Sequence, residues 1–278
     1  MNGSVRLFLG ALALLAVLAP APGALALSPE QREEVQTFVT GNVVFTLFHE
    51  AGHALIHMLE LPTLGREEDA ADNLATLLMI GDPVSGRGKE RGGNEELLFA
   101  AADGWAMLHE RTKASGEPQP FWDSHSLDQQ RYHNVLCLIY GSNPETFVEV
   151  IDAEELPDER RAQCPEEYTK TADSWAQVLS PHQKRFGDGA KGKLKVLYDV
   201  PKTGPGTKAR NMLKAMNLDK LLSRTIADEI ALPSNLTLRF ASCSDADAFY
   251  DPEKHEIVMC YELVNSFAEM IEADVSAQ

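Results

Sequence analysis

The stretch that decides the fold is Asn42-Val-Val-Phe-Thr-Leu-Phe-His-Glu-Ala-Gly-His-Ala-Leu-Ile-His-Met-Leu-Glu60, continued at once by Leu61-Pro-Thr-Leu-Gly-Arg-Glu-Glu-Asp-Ala-Ala-Asp-Asn-Leu-Ala-Thr-Leu-Leu-Met79. In its first half Val44, Leu47, Phe48, Ala51 and Leu55 recur at helical spacing and define a face that buries. His49 and His53 stand four apart on that helix. Their rings project from one side, one turn apart, so both can ligate a single zinc ion. Glu50 lies beside the metal, where it can take a proton from water. Two histidines and a glutamate among so many apolar neighbours are costly to bury without a partner, and zinc supplies one. His57 continues the series but sits about 12 Å along the helix from His49, too far to share the ion, and reads as a helix-end residue or one that supports the ligands from behind.

A third ligand has to come from elsewhere, because the positions that would carry a further histidine in the longer form of this motif are Ile56 and Leu59. Pro62 and Gly65 end the first helix and turn the chain back. Residues 66–79 form a second helix, acidic at its start and apolar afterwards. Glu67, Glu68 and Asp69 suit the positive end of a helix dipole. Glu68 and Asp72, four apart, also share a face. Glu68 could then complete a two-histidine, one-glutamate site, and Asp72 could accept the free ring N–H of a ligating histidine. Residues 61–66 are enough chain to return about 10 Å of helix.

The pair FHEAGHALI and LPTLGREEDAADNLATLL resembles the gluzincin class of zinc peptidases, whose third ligand is a glutamate in an E-x-x-x-D helix. More narrowly, the chain resembles a bacterial family of secreted metallopeptidases with undefined substrates. Trp122-Asp-Ser-His-Ser-Leu-Asp-Gln-Gln-Arg131, Val135-Leu-Cys-Leu-Ile-Tyr-Gly141, and Ala248-Phe-Tyr-Asp-Pro-Glu253 with Cys260-Tyr-Glu-Leu263 carry the same likeness. It spans most of the chain, with residues 184–233 its least distinctive part. The resemblance implies His49, His53 and Glu68 as zinc ligands, Glu50 as the catalytic residue, and a zincin-like fold. In one respect the chain departs from such relatives: they often place the AFYDP…CYEL hairpin before the histidine helix, whereas here it follows.

The chain opens with one positive charge at Arg6, an apolar run over residues 7–19 and a small-x-small site at Ala24-Leu25-Ala26. This is the pattern of a secretory signal peptide cleaved after Ala26, and no later segment is apolar enough to span a membrane. The expectation is therefore a secreted or periplasmic protein, with residues 27–278 as the metallopeptidase-like domain. Without residues 1–26, 24 basic residues face 42 acidic ones, a net charge of −18, which argues against nucleic acid as a partner. Four cysteines in an exported chain predict two disulfides. Cys137 with Cys164 and Cys243 with Cys260 are favoured because each pair encloses a local segment.

Helices are expected at 95–111, 126–140, from 143, and at 157–179, with a Gly-rich charged loop at 81–93, so residues 27–185 are mainly helical and hold the zinc site. In residues 186–278 a strand at 193–198, a helix at 206–230, a strand at 236–241, a hairpin at 249–261 turning on Asp251-Pro252, and a helix at 263–273 follow. The fold class is α+β: a mainly helical domain with a small antiparallel sheet. Zinc peptidases commonly set a sheet edge beside the metal for an extended substrate, and the strand 256–261 is expected to serve this way. The expected function is hydrolysis of peptide or protein substrates by zinc-activated water with Glu50 as general base. His125, Tyr132, His133 and Tyr261 are the candidate donors for the oxyanion, with His125 favoured. The alternatives are a zinc amidase acting on cell-wall peptides and a non-catalytic zinc-fold binding protein.

Overall fold

The computed structural model describes residues 27–81, 95–148, 151, 156–184 and 191–276. The expected signal peptide and residues 82–93 of the expected loop lie outside the described residues. Helix α1 (Pro29–Met58) is 30 residues long, about 45 Å. It starts well before Asn42 because Ser28 and Gln31 form a capping box, with Pro29 in the first turn. Its residues are buried over much of the circumference from Val35 to Met58, since α1 is packed on several sides at once. Around it lie α2 (Glu67–Ile80), α3 (Glu95–Ser115), the strands Ala248–Asp251 and Glu256–Cys260, and the last helix.

α4 (Asp128–Ser142) packs on α2 and α3 and is followed by the single turns α5 (Pro144–Phe147) and α6 (Asp158–Arg161). The one helix expected over 157–179 is two, because Pro165 opens α7 (Cys164–Leu179) and cannot donate back to Arg161. The Cys137–Cys164 disulfide ties α4 to the start of α7. Likewise the helix expected over 206–230 is divided. α8 (Gly204–Met216) stops at Asn217, whose φ of 52° is left-handed, and α9 (Leu218–Leu222) runs into a π turn at Ser223–Ala227.

Strands β1 (Leu194–Tyr198), β2 (Leu236–Ala241), β3 (Ala248–Asp251) and β4 (Glu256–Cys260) form one sheet in the order β1-β2-β4-β3. The helix-rich α+β class is as expected, but the sheet is mixed rather than antiparallel. β1–β2 and β2–β4 pair in parallel, and only β3–β4 is antiparallel. The strand expected to be a free edge, β4, is interior. Its residues Ile257, Val258, Met259 and Cys260 are all buried, the continuous apolar run of a strand covered on both faces. The edge beside it is β3, with Phe249 exposed, and β1 forms the other edge. Cys243–Cys260 fastens the segment after β2 to the end of β4, where α10 (Tyr261–Val275) begins. No helix among the described residues is long and apolar enough to cross a membrane.

Candidate metal centre

α1 and α2 approach closely because both are small where they meet. A Cβ on Gly52 would lie 3.1 Å from the Ala71 backbone, so the glycine of the His49–His53 turn sets the distance between the helices. That approach brings α2's first-turn acids to the two imidazoles. His49 Nε2 and His53 Nε2 lie 3.1 Å apart, and Glu68 Oε2 is 3.3 Å from the first and 3.2 Å from the second. Donor atoms around a tetrahedral zinc, bonded at 2.0–2.2 Å, stand about 3.3 Å from one another. The three groups therefore fit such an ion.

Each imidazole is held from behind. His49 Nδ1 donates to Asp72 Oδ1 at 2.8 Å, and His53 Nδ1 to Glu67 Oε1 at 2.8 Å. These bonds fix the tautomer and aim each Nε2 at the shared point. The Glu68–Asp72 spacing predicts the first of these acceptors, whereas the sequence marks Glu67 only as a dipole acid. Asp72 is buried, and Arg131 on α4 grips it with a fork, Nε to Oδ2 at 2.7 Å and a terminal nitrogen to Oδ1 at 2.6 Å. The Arg131 guanidinium in turn lies 3.5 Å over the Trp105 ring of α3. Burial alone would push the Asp72 carboxyl up, but Arg131 and His49 outweigh it and hold it below the usual range. Arg131→Ala would strand Asp72 as a buried charge without its cation. It is expected to lower unfolding free energy by about 3–5 kcal/mol, read by denaturant titration; a loss under about 1 kcal/mol would show the fork to be incidental.

A third imidazole enters from the loop between α3 and α4. His125 Nε2 lies 2.9 Å from Glu68 Oε2, while its Nδ1 and its backbone N–H both donate to Asp123 Oδ1 at 2.9 and 2.8 Å. The loop is pinned to the start of α2 by Ser126, which donates to Asp69 at 2.7 Å and accepts from Arg66 at 3.2 Å. His49, Glu68 and His125 thus form a second group able to hold an ion, with donor atoms all within 4.8 Å. Hydrogen bonds from His125, then His49 and His53, drive the Glu68 carboxyl far below its usual range.

The other three oxyanion candidates stand elsewhere. Tyr261 is fully buried and its hydroxyl donates to the Asp199 carbonyl at 2.8 Å. Tyr132 and His133 pack on each other at 5.1 Å, and neither lines the clefts at His49. His57 pairs with the Tyr250 hydroxyl at 3.1 Å, joining the end of α1 to β3.

Glu50 is 6% exposed. Burial raises its carboxyl, and the nearby His49 and His53 only partly offset this. The 540 Å³ cleft over Glu50 and the imidazoles is also lined by Ala248, Phe249 and Tyr250 of the edge strand. Burial works against a proton on His53, but its bonds to Glu68 and Glu67 prevail and raise it to about 9 without a metal. Because the raised group stays protonated below that pH, a cation must displace its proton. Apparent zinc affinity, measured by chelator competition from pH 6 to 8.5, is expected to climb by about tenfold per unit per proton displaced. A flat profile would contradict this.

The family described as "Putative metallopeptidase" matches residues 24–179 and 198–278 of the chain. No curated protein and no solved structure gives a significant match.

Proposed function

The chain belongs to this metallopeptidase family, and from that premise we propose an exported, gluzincin-type zinc peptidase with His49, His53 and Glu68 as zinc ligands and Glu50 as general base. The observation that carries the reading is the 3.1–3.3 Å triangle of His49 Nε2, His53 Nε2 and Glu68 Oε2, with Asp72 and Glu67 behind the two rings. When bound, zinc polarises a carbonyl and makes water more acidic. Glu50, its carboxyl raised by burial, takes the proton of the attacking water and later delivers it to the leaving amine. His125, oriented by Asp123, donates to the oxyanion that develops on the carbonyl. An extended peptide adds along the free edge of β3, whose residues line the cleft. Two disulfides suit an oxidising compartment outside the cytoplasm.

A second reading has an observation of its own. His125 Nε2, at 2.9 Å from Glu68, would make a fourth ligand and close the site, as in a structural, non-catalytic zinc fold. One experiment separates the two: casein hydrolysis by wild type and His125→Ala, with metal content measured alongside. The peptidase reading expects cleavage by wild type, and in the variant a kcat lowered about 10²–10³-fold with zinc retained. Loss of zinc from the variant, with no cleavage by either protein, would favour the closed site.

A further inference from the structure

Glu50 faces more than the metal cleft. A second cavity of 280 Å³ shares His49, Glu50, His125, Asp247 and Ala248 with that cleft. Away from the shared wall it is lined mainly by Phe45, Trp105, Leu108, Leu263, Phe267 and Met270, contributed by α1, α3 and α10. An apolar recess of this size beside a carboxylate, open on the side of the cleft, is suited to an occupant. Its volume falls just below the roughly 300–1,000 Å³ of cavities that enclose whole ligands, which suits a single side chain.

The charges at its wall narrow the choice. Arg131 lines the cavity, but its guanidinium is forked to Asp72 and stacked on Trp105, so it offers no free cation. The acids at the shared wall, Glu50 and Asp247, repel an anionic side chain. We infer that this cavity receives the side chain of the substrate residue next to the scissile bond and selects a large apolar one, such as Phe, Leu or Met, over small or acidic residues. The inference rests on the peptidase reading, because only a peptide lying in the cleft would present a side chain there.

The test uses the zinc-loaded protein and a mixed peptide library, with cut sites mapped by mass spectrometry. A matched pair carrying Phe or Ala at the position beside the cut then gives kcat/KM ratios for wild type and for Ser266→Phe, which narrows the cavity from α10. Wild type is expected to favour Phe by about 30-fold, and the narrowed variant to reduce that ratio below about threefold. Should Ser266→Phe fail to fold, as judged by circular dichroism, Thr46→Leu narrows the same cavity from α1. Cleavage without bias, a bias for charged side chains, or a ratio unmoved by narrowing would overturn the inference and leave the peptidase reading standing. No cleavage of any peptide by the zinc-loaded protein would overturn both.

Discussion

Glu50→Gln is expected to bind zinc as the wild type does and to hydrolyse peptide about 10³–10⁴-fold more slowly. The substitution keeps size and shape but removes the site that accepts a proton. In the proposal Glu50 is not a ligand, so the ion's three partners are untouched. Its effect on stability should run the other way. Glu50 is 6% exposed and burial raises its carboxyl, so the charged form is held at a cost in the folded state. A neutral amide relieves that cost, and the variant's Tm should equal or exceed that of the wild type when both are metal-free. Activity within tenfold of wild type would end the role assigned to Glu50.

Glu68→Ala is expected to lose the metal. In the absence of an ion, the Glu68 carboxylate is the point on which three Nε2 atoms converge, from His49, His53 and His125. Those bonds keep it ionised well below the usual carboxylate range, so at neutral pH it is a ready anionic ligand. In the proposal, removing it takes away one ligand of three and the negative charge that balances the cation. Because losing even a group behind a ligand costs 10–100-fold in metal affinity, losing the ligand should cost at least about 100-fold. After dialysis against a mild chelator, the wild type should keep about one zinc per chain and the variant almost none. A variant that keeps its zinc would move the third ligand elsewhere, with His125 the first alternative.

The two helices of the site were legible because their chemistry is periodic. Histidines four apart and acids four apart each define a face, and a short loop with Pro62 and Gly65 leaves those faces little choice but to meet. What set their separation was not a charged residue at all but Gly52 against Ala71, a small-on-small contact that carries no pattern until both helices are aligned. Arg131 and Asp123 escaped for a different reason. Arg131 acts through Asp72, 59 residues away along the chain, and Asp123 acts through His125, only two residues on, whose own place beside Glu68 is set by the fold. His125 could be named but not placed, since a loop residue has no period to orient it.

In the sheet, two further signals are written in the sequence. A strand, a helix and a strand in succession over residues 193–241 is the order that yields parallel neighbours, and β1 and β2 do pair that way. The unbroken run Ile257-Val258-Met259 fits a strand covered on both faces, whereas Phe249-Tyr250 next to Asp251-Pro252 suits an edge. The Asp251-Pro252 turn pairs β3 with β4 but does not determine which of the two lies outermost.

The most direct measurement is diffraction from zinc-loaded crystals of the wild type, with anomalous data collected on either side of the zinc absorption edge. The account predicts one strong peak within about 2.0–2.2 Å of His49 Nε2, His53 Nε2 and a Glu68 oxygen, with His125 outside bonding distance. A peak bonded to His125 as a fourth protein ligand, or one away from Glu68 altogether, would contradict it.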